Sequence, residues 1–193
     1  MARPREFDYE HVLDKAVETF WSKGYEATSI QDLVDATGLH RGSLYAAFGN
    51  KQALFLEVLD RYNHVVVQRL LELLDSEPSG KSAIRFFFAT VIEHILTAGP
   101  LRGCLVTNSA VERGLSCPDT AAKVGGCLER LEQGFRRTLE RMRKAGELRE
   151  EADIRALSRY LTSVLQGLLV IGKVRPEREV LADIVAVGLS VLD

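Results

Sequence analysis

The segment from Thr28 to Lys51 constrains the fold of this chain more than any other part of the sequence. It reads TSIQDLVDATGLHRGSLYAAFGNK, in which apolar residues recur at helical spacing on both sides of a glycine. This spacing places two apolar stripes on two short helices that can face one small core. Gly38 falls between the stripes, where the chain must turn sharply and a residue without Cβ enters the φ > 0 region at little cost. The segment is therefore predicted to form a helix, a tight turn and a second helix.

Local signals define the ends of these two helices. Ser29 is followed three residues later by Asp32, which is the spacing of a capping box, and Leu39 can fill the corner between the helices. The outward residues of the second helix are small or carry hydrogen-bond donors, namely His40, Arg41, Gly42, Ser43, Tyr45 and Ala46. Such a face is suited to approach the phosphates and base edges of DNA. An ordinary helix hairpin within an all-α domain has the same turn and the same stripes, so the motif alone leaves both interpretations open.

Further motifs accompany this segment at fixed spacing. A long predicted helix ends in KGY at residues 23 to 25, TS follows at 28 and 29, and TGL forms the turn at 37 to 39. Residues 42 to 51 read GSLYAAFGNK and lead into ALF at 53 to 55. In this combination, residues 7 to 56 resemble the tetracycline-repressor (TetR) family of bacterial transcriptional regulators. The rest of the chain resembles that family in architecture only.

The resemblance implies double-stranded DNA as a partner and assigns roles to individual positions. The positions that contact phosphates in the family are Thr28, Ser29, Tyr45 and Lys51 in this sequence. Those that face bases are Gln31, Arg41, Gly42 and Ser43. Many family members carry His or a larger aromatic residue where this chain has Ala46 and Ala47. This departure puts any DNA contact from that spot in doubt.

The charge of the first 55 residues is not that of a typical DNA-binding domain, because six basic residues stand against eight acidic ones for a net charge of −2. The positions of these charges along the chain, however, favour DNA binding. No acidic residue occurs between Ala36 and Leu56, whereas Arg41 and Lys51 do and His40 can add charge. A local positive face suffices when two copies bind together, since each phosphate contact adds to a salt-dependent total. Arg3 and Arg5 form a basic arm at the N-terminus. This arm could bind in the minor groove or have no role in DNA binding, and both interpretations are equally open.

Composition bounds the class of protein. The chain has 193 residues, 46% of them hydrophobic and 27% charged, with a net charge of −2. These values are typical of a globular protein and exclude a generally basic, histone-like or membrane-surface protein. No apolar run is expected to reach the roughly 18 residues of a membrane span, and the N-terminus lacks the pattern of a signal peptide. A cytoplasmic location is therefore expected.

Proline and glycine punctuate the sequence at helical intervals, and neither a strand-turn-strand pattern nor an internal repeat is evident. The predicted fold is all-α with about nine helices. We expect an N-terminal three-helix helix-turn-helix DNA-binding domain at residues 1–50 and a larger helical effector-binding and dimerisation domain at residues 51–193. Two short predicted helices lie within residues 28 to 51, one on each side of Gly38. The others run from about 9 to 23, 51 to 74, 81 to 97, 103 to 113 and 119 to 145, with two more after Asp153 and Pro176.

The last two predicted helices are more apolar than a surface helix requires. Gln166 is the only strongly polar side chain from Tyr160 to Gly172, and Asp183 is the only one from Val180 to Leu192. A central core helix would explain either one alone, but the pair favours a two-fold helical interface, and the resemblance agrees because family members dimerise through their final two helices. The predicted interface residues of this homodimer are Leu161, Leu165, Leu168, Ile184 and Val187. A two-fold dimer matches a palindromic operator.

The middle helices are predicted to sense a small-molecule effector of unknown identity. Three consecutive phenylalanines at 86 to 88 cannot all lie on one helix face, so one of them can line a cavity, although core packing explains any single one. The predicted pocket residues are Phe87, Cys104, Asn108 and Gln166. By resemblance, an effector bound here would change the separation of the two DNA-reading helices and release DNA, which describes a repressor. Activation remains open.

The three cysteines, Cys104, Cys117 and Cys127, do not have the spacing of a metal site or of structural disulfides, so neither a metal nor a cofactor is predicted. Packing explains all three, but Cys104 lies at a predicted helix start beside Arg102, where a thiolate would be favoured. A thiol-based redox or electrophile-sensing regulator that uses Cys104 is therefore one alternative function. A helical protein-interaction module without DNA binding is another. No catalytic constellation is recognisable, so we do not expect an enzyme.

Overall fold

The computed structural model describes residues 7–97 and 102–193, which form nine α-helices and no strand. This confirms the predicted fold class. The predicted basic arm at Arg3 and Arg5 lies outside the described residues. The helices are α1 (Tyr9–Lys23), α2 (Ile30–Thr37), α3 (Arg41–Phe48), α4 (Lys51–Tyr62, continued by Asn63–Val67 and Gln68–Asp75), α5 (Gly80–Thr97), α6 (Leu105–Arg113), α7 (Pro118–Lys144), α8 (Ile154–Ile171) and α9 (Arg178–Leu189, followed by a 3-10 turn at Ser190–Leu192).

The first three helices form the predicted helix-turn-helix arrangement. Ser29 and Asp32 exchange the two hydrogen bonds of a capping box at the start of α2, and Gly38 ends that helix at φ 71°. Leu33 of α2 and Leu44 of α3 are buried in the same core as the apolar face of α1. Burial of the two predicted stripes fixes which face of α3 remains in solvent.

Helix α4 connects this N-terminal unit to the rest of the chain without a break. Its middle segment, Asn63–Val67, is a π-helical turn, which leaves backbone groups outside the regular α-helical ladder. Arg130 of α7 donates hydrogen bonds to the carbonyl oxygen of Asn63 at 3.2 Å and to the Gln68 side chain at 2.8 Å. The irregular turn is therefore held by a side chain from a neighbouring helix.

The aromatic core behind α4 corrects the prediction for Phe87. The Phe87 ring packs against Phe88 and Phe135 with centroid separations of 5.3 and 5.1 Å, and all three side chains are fully buried. Phe87 thus fills the core and does not line an effector pocket, because α7 covers its face of α5. The phenylalanine that points outward is Phe86, which is 45% exposed.

The packing of α8 corrects part of the predicted dimer interface. Leu161, Leu165 and Leu168 are completely buried within the protomer, because α8 packs against α7 on one side and α9 on the other. Their side chains are therefore not available to a second copy. Of the remaining predicted interface residues, Ile184 is half-buried and Val187 is 71% exposed.

Helix α8 is also long and apolar enough, by length and composition alone, to cross a membrane. It contains Arg155 and Arg159, so it is not an uninterrupted apolar run. The helix nevertheless has two distinct faces, since its leucines lie in the core while Arg155 and Arg159 are exposed in its first turns. An apolar helix that packs on neighbours along one face has the same composition.

Candidate DNA-binding site

One face of α3 is open to solvent over its first turn. Leu44 and Phe48 anchor the opposite face in the core, which leaves Arg41, Gly42 and Ser43 exposed in a row. These three exposed residues are among the positions predicted to face bases. With its inner face packed and its outer residues short apart from Arg41, α3 can approach a groove of DNA closely.

Aromatic and basic side chains lie beside this face. His40 is exposed at the N-cap of α3 and Tyr45 is half-buried on the same helix. The Arg41 guanidinium lies 5.5 Å from the centroid of the Tyr45 ring. At the start of α4, the Lys51 ammonium lies 4.3 Å from the Tyr25 ring centroid, which is within cation–π range. Tyr45 thus lies in the second half of α3, and Lys51 lies just beyond its C-terminal end.

The two phosphate contacts predicted at the start of α2, Thr28 and Ser29, differ in their exposure to solvent. Ser29 is exposed, and its hydroxyl oxygen accepts a hydrogen bond from the Asp32 N–H at 3.0 Å. Thr28 is only 1% exposed, and its hydroxyl donates to the carbonyl oxygen of Gly24 at 2.5 Å. The buried Thr28 hydroxyl is thus committed to the α1–α2 turn, which corrects its predicted role as a phosphate contact.

The side chain of Gln31 is exposed on α2, as a base-facing role requires. Its amide Nε2 donates to the Asp35 carboxylate at 2.7 Å. That carboxylate occupies one of the amide's two donor hydrogens, so Asp35 partly fixes the position of the Gln31 side chain.

The acidic residues that count against DNA binding are largely paired with basic ones. Glu10 and Asp14 both bind Arg61, and Glu18 binds Arg102. Two more ion pairs join Lys23 to Asp32 at 2.6 Å and Arg113 to Glu26 at 2.8 Å. Arg61, Arg102 and Arg113 all lie outside the first 55 residues. The tertiary structure therefore offsets the acidic balance that the N-terminal sequence shows on its own.

Asp32 has a double role in this arrangement. The hydrogen bond from Lys23, followed by those from the Ser29 backbone and hydroxyl, lowers the pKa of Asp32 to about 2. A carboxylate near the N-terminus of α2 also suits the dipole of that helix. Asp32 consequently remains ionised throughout the physiological range and holds the start of the helix-turn-helix motif.

Two residues of α6 that the sequence interpretation missed hold the α1–α2 turn. The Glu112 carboxylate accepts hydrogen bonds from the backbone N–H groups of Tyr25 at 2.8 Å and Glu26 at 2.9 Å. The Arg113 guanidinium lies 4.0 Å from the Tyr25 ring centroid and pairs with Glu26. We call these contacts of Glu112 and Arg113 with Tyr25 and Glu26 the α6 clamp. No local pattern in the sequence indicates a contact across more than 85 residues.

The predicted pocket residues other than Phe87 lie around α6. Gln166 of α8 accepts a hydrogen bond from Thr107 of α6, while its buried Nε2 has no hydrogen-bond partner in the described structure. Next to Thr107, the Asn108 side chain joins the Arg102 carbonyl oxygen at 2.9 Å to the Lys173 ammonium at 3.0 Å. Asn108 and Gln166 thus lie near each other between α6 and α8.

Cys104 is the N-cap of α6 and is buried. The Tyr62 hydroxyl donates to its sulfur at 3.7 Å. Arg102, which the sequence placed beside this thiol, pairs instead with Glu18 and lies over the ring of Trp21. The basic neighbour that the sequence offered to a Cys104 thiolate is therefore engaged with α1.

Known families match both parts of this structure. The profile of bacterial regulatory proteins of the tetR family matches residues 12–58, which include the helix-turn-helix motif. A second profile, the tetracyclin repressor-like C-terminal domain, matches residues 80–186, more than half of the chain. The chain belongs to the TetR family. The resemblance of the N-terminal motifs is thereby confirmed and extends into the C-terminal helices.

Individual TetR-family proteins are similar over nearly the whole chain. The uncharacterized HTH-type transcriptional regulator YezE of Bacillus subtilis (strain 168) is 38% identical, and the match covers 100% of this chain and 100% of YezE. The HTH-type transcriptional repressor ComR of Escherichia coli (strain K12) is 33% identical over 87% of this chain and 80% of its own length. Among solved structures, the regulator CifR, complexed with a 26-bp double-strand operator DNA, is 31% identical with a TM-score of 0.85, covering 97% of this chain and 98% of CifR. This TetR-family protein is a DNA-binding transcriptional regulator.

Proposed function

We propose that this regulator is a cytoplasmic homodimer that represses transcription from a palindromic operator and leaves it when a small-molecule effector binds. Residues 1–50 would bind DNA, and residues 51–193 would bind the effector and the second subunit. The observation that carries the proposal is the solvent-exposed face of α3, which lies in a stretch of 21 residues without an acidic side chain. Repression is supported by ComR, a relative named as a transcriptional repressor.

DNA recognition would be divided between two sets of residues. We assign base contacts to Arg41, Gly42, Ser43 and Gln31, since the first three form the exposed row on α3. The phosphate contacts would come from Ser29, Tyr45, Lys51 and His40, which border that row. The α6 clamp would hold the α1–α2 turn in place and so set the orientation of the whole motif relative to the C-terminal helices.

The homodimer is supported by an apolar groove of about 480 Å³ between α8 and α9. Its lining residues are Tyr160, Val164, Gly167, Ile171, Asp183, Ile184, Val187 and Gly188. A Cβ atom added at Gly167 would meet nothing within 4 Å in the protomer, so the backbone of a second copy can approach closely there. Two copies of α8 and α9 packed across this groove would form a four-helix bundle.

Effector binding would take place near the junction of α6 and α8. The buried Nε2 of Gln166 offers a hydrogen-bond donor that has no partner in the described structure, and Asn108 and Cys104 lie on the same side of α6 or at its start. A ligand that satisfies this donor gains a hydrogen bond at a position where an unpaired one is costly. Because α6 also carries the α6 clamp, a ligand that shifts α6 would move the DNA-binding unit.

The test of the proposed function is selection of bound sequences from a random pool of double-stranded DNA by the full-length protein. We expect an enriched palindrome whose half-sites are separated by about one helical turn or more, with binding that weakens steeply as salt rises. Enrichment of a single, non-repeated half-site would contradict the dimeric part of the proposal. A protein that enriches no sequence at any salt concentration would contradict it altogether.

A further inference from the structure

The DNA-binding unit has a second attachment, apart from the α6 clamp, at the other end of α6. Arg102 and Gly103 lie directly before the N-cap residue of that helix. The indole Nε1–H of Trp21 in α1 donates to the carbonyl oxygen of Gly103 at 2.8 Å. The Arg102 guanidinium pairs with Glu18 and lies 5.8 Å from the centroid of the Trp21 ring. We call these contacts of Arg102 and Gly103 with Glu18 and Trp21 the α1 tether.

The α6 clamp and the α1 tether hold the DNA-binding unit at two separate points. Glu112 of the clamp follows Gly103 of the tether by nine residues. At the helical rise of about 1.5 Å per residue, the two points are roughly 13 Å apart. A single contact would leave the unit free to swing about it, whereas two contacts at this separation also restrict its rotation. The α1 tether therefore contributes to the orientation of the helix-turn-helix motif.

Lys173, just beyond the end of α8, covers the other side of the Gly103 peptide. Gly103 has a φ of 64°, and a Cβ atom there would lie 2.5 Å from Cδ of Lys173. The lysine stem thus occupies space that only glycine leaves open. Its ammonium donates to Asn108 Oδ1 at 3.0 Å, and Asn108 Nδ2 donates to the Arg102 carbonyl oxygen at 2.9 Å. Lys173 and Asn108 together fix the position of the two residues that reach α1.

These contacts form a continuous path from α8 to α1. Ile171, which lines the groove between α8 and α9, lies two residues before Lys173. Asn108 lies at the junction of α6 and α8, where we place the effector. A ligand that turns or displaces the Asn108 amide would break its bond to Lys173, its bond to Arg102, or both. A change at the junction can therefore reach the DNA-binding unit without any change in the α6 clamp.

We propose that Trp21 and Lys173 are positioning residues for DNA binding and that they act together through the α1 tether. Loss of the Lys173 ammonium releases Asn108 and the segment of Arg102 and Gly103. The acceptor of the Trp21 indole then moves away, and the DNA-binding unit samples orientations that do not fit DNA. An effector at Asn108 would act by the same route, and this part rests on the proposed function. The α1 tether itself does not.

The first experiment measures the α1 tether without DNA, by NMR on the full-length protein. Trp21 is the only tryptophan of the chain, so its indole N–H gives a single signal whose exchange with solvent can be followed. We expect this exchange to accelerate about ten-fold in Lys173→Met, which keeps an apolar stem but removes the ammonium. Lys173→Arg keeps the charge and should restore slow exchange. The control is Lys144→Met, at an exposed lysine of α7. Equal exchange in Lys173→Met and Lys144→Met would overturn the role of Lys173.

The second experiment uses the affinity for the selected operator to test whether the two residues act together. Trp21→Phe keeps an aromatic ring beside Tyr62 but removes the indole donor, and we expect it to lower affinity about ten-fold. Lys173→Met should lower affinity about five-fold. The double variant should bind no more weakly than Trp21→Phe alone, because the lysine acts through a bond that is already lost. Losses that multiply in the double variant would show two independent contacts and overturn the proposal.

The two experiments separate this inference from the proposed function. If the wild type enriches no DNA sequence, the proposed function fails. The indole exchange in Lys173→Met, Lys173→Arg and Lys144→Met still decides whether Lys173 sets the α1 tether. If the wild type binds its operator but Lys173→Met and Trp21→Phe both bind it with wild-type affinity, the proposed function stands and the positioning role is overturned.

Discussion

The Glu112 carboxylate accepts a hydrogen bond from the Tyr25 backbone N–H at 2.8 Å, which joins α6 directly to the turn between α1 and α2. The same carboxylate binds the next N–H, that of Glu26, through its second oxygen at 2.9 Å. Hydrogen bonds to an ionised acceptor are stronger than neutral ones, and two parallel bonds also fix orientation. Helix α6 therefore holds the α1–α2 turn, while α4 packs against α1 and α3.

Removing this carboxylate should loosen the turn without unfolding the protein. In Glu112→Ala, we expect hydrogen exchange at the amides of Tyr25 and Glu26 to accelerate about ten-fold, because both lose their acceptor. Operator affinity should fall as the helix-turn-helix motif loses its fixed orientation. Exposed Glu150 lies far along the chain, and Glu150→Ala is the control with the same loss of charge. Unchanged exchange in Glu112→Ala would contradict a holding role for this carboxylate.

Lys51 should contribute to DNA binding in a way that is independent of sequence. Lys51→Ala is expected to weaken binding to all DNA sites by a similar factor and to reduce the slope of log K against log salt by about 1 per protomer. Binding titrations at four or more salt concentrations measure both quantities. The control is Lys144→Ala, which removes an exposed lysine at the end of α7. A slope unchanged from wild type would show that Lys51 does not neutralise a phosphate.

Arg41 should determine which sequence is bound. Arg41→Ala removes the longest donor side chain on the exposed face of α3, and we expect it to relax preference at one position of each half-site by about 1–3 kcal/mol. Sequence selection with the variant, compared with wild type, identifies the position. A uniform loss of affinity across all sites would instead assign Arg41 to a phosphate. Ser43→Ala, on the same exposed row, serves as the comparison for a short side chain.

Val187 should control the oligomeric state. It is 71% exposed in the groove between α8 and α9, so an aspartate there would bury a charge in the proposed interface. We expect Val187→Asp to shift the protein towards monomer in analytical ultracentrifugation and to weaken operator binding. Val174→Asp is the matched control, since Val174 is 76% exposed and does not line that groove. If the two variants had the same oligomeric state and the same operator affinity, the interface would lie elsewhere.

A substitution on the buried face of α8 should have a different effect from one in the groove between α8 and α9. Leu161 is completely buried in the protomer, so Leu161→Ala leaves a cavity in the core. We expect a loss of about 2–5 kcal/mol in the free energy of unfolding, measured by urea denaturation at fixed protein concentration. A variant that dissociates the dimer at unchanged protomer stability would restore Leu161 to the interface.

Asp32 should make the start of α2 sensitive to acid. Its pKa of about 2 in the folded protein lies below the ordinary value of 3.8, so its contribution to stability is complete above about pH 4 and is lost as the pH falls towards 2. The Tm difference between wild type and Asp32→Asn should therefore shrink over that range. Lys23→Met removes the main hydrogen bond that lowers the pKa of Asp32, and it should narrow the pH range over which the Tm difference shrinks. A difference that stays constant from pH 7 to pH 2 would contradict this linkage.

The helix-turn-helix motif and the helix boundaries were predictable because their signals are local. A capping box, a glycine at the C-cap and apolar spacing act within about ten residues. The structure confirms all three for α2 and the apolar spacing for α3. The exposed residues of α3 follow from the same spacing. The charge balance of the N-terminal unit was not predictable from the sequence. The acidic residues of α1 pair with Arg61 and Arg102, which lie far from them along the chain.

The buried faces of the two apolar helices at the end of the chain could not be predicted from the sequence. Their composition indicated that both faces of α8 are covered, but periodicity could not decide which face lies in the protomer and which faces the groove. Leu161, Leu165 and Leu168 were therefore assigned to the interface although α7 and α9 bury them. The Phe87 prediction failed for the same reason, since the neighbour that covers it, Phe135, lies in a distant helix.

The sequence by itself determined the helices, their caps and turns, the family, and the residues that α3 exposes. Those properties depend on interactions between residues close together in the chain. Only the tertiary structure decided the contact of Glu112 with Tyr25, the pairing of the N-terminal acids and the inward face of α8. These features arise from packing between distant segments, where geometry and burial set which groups meet.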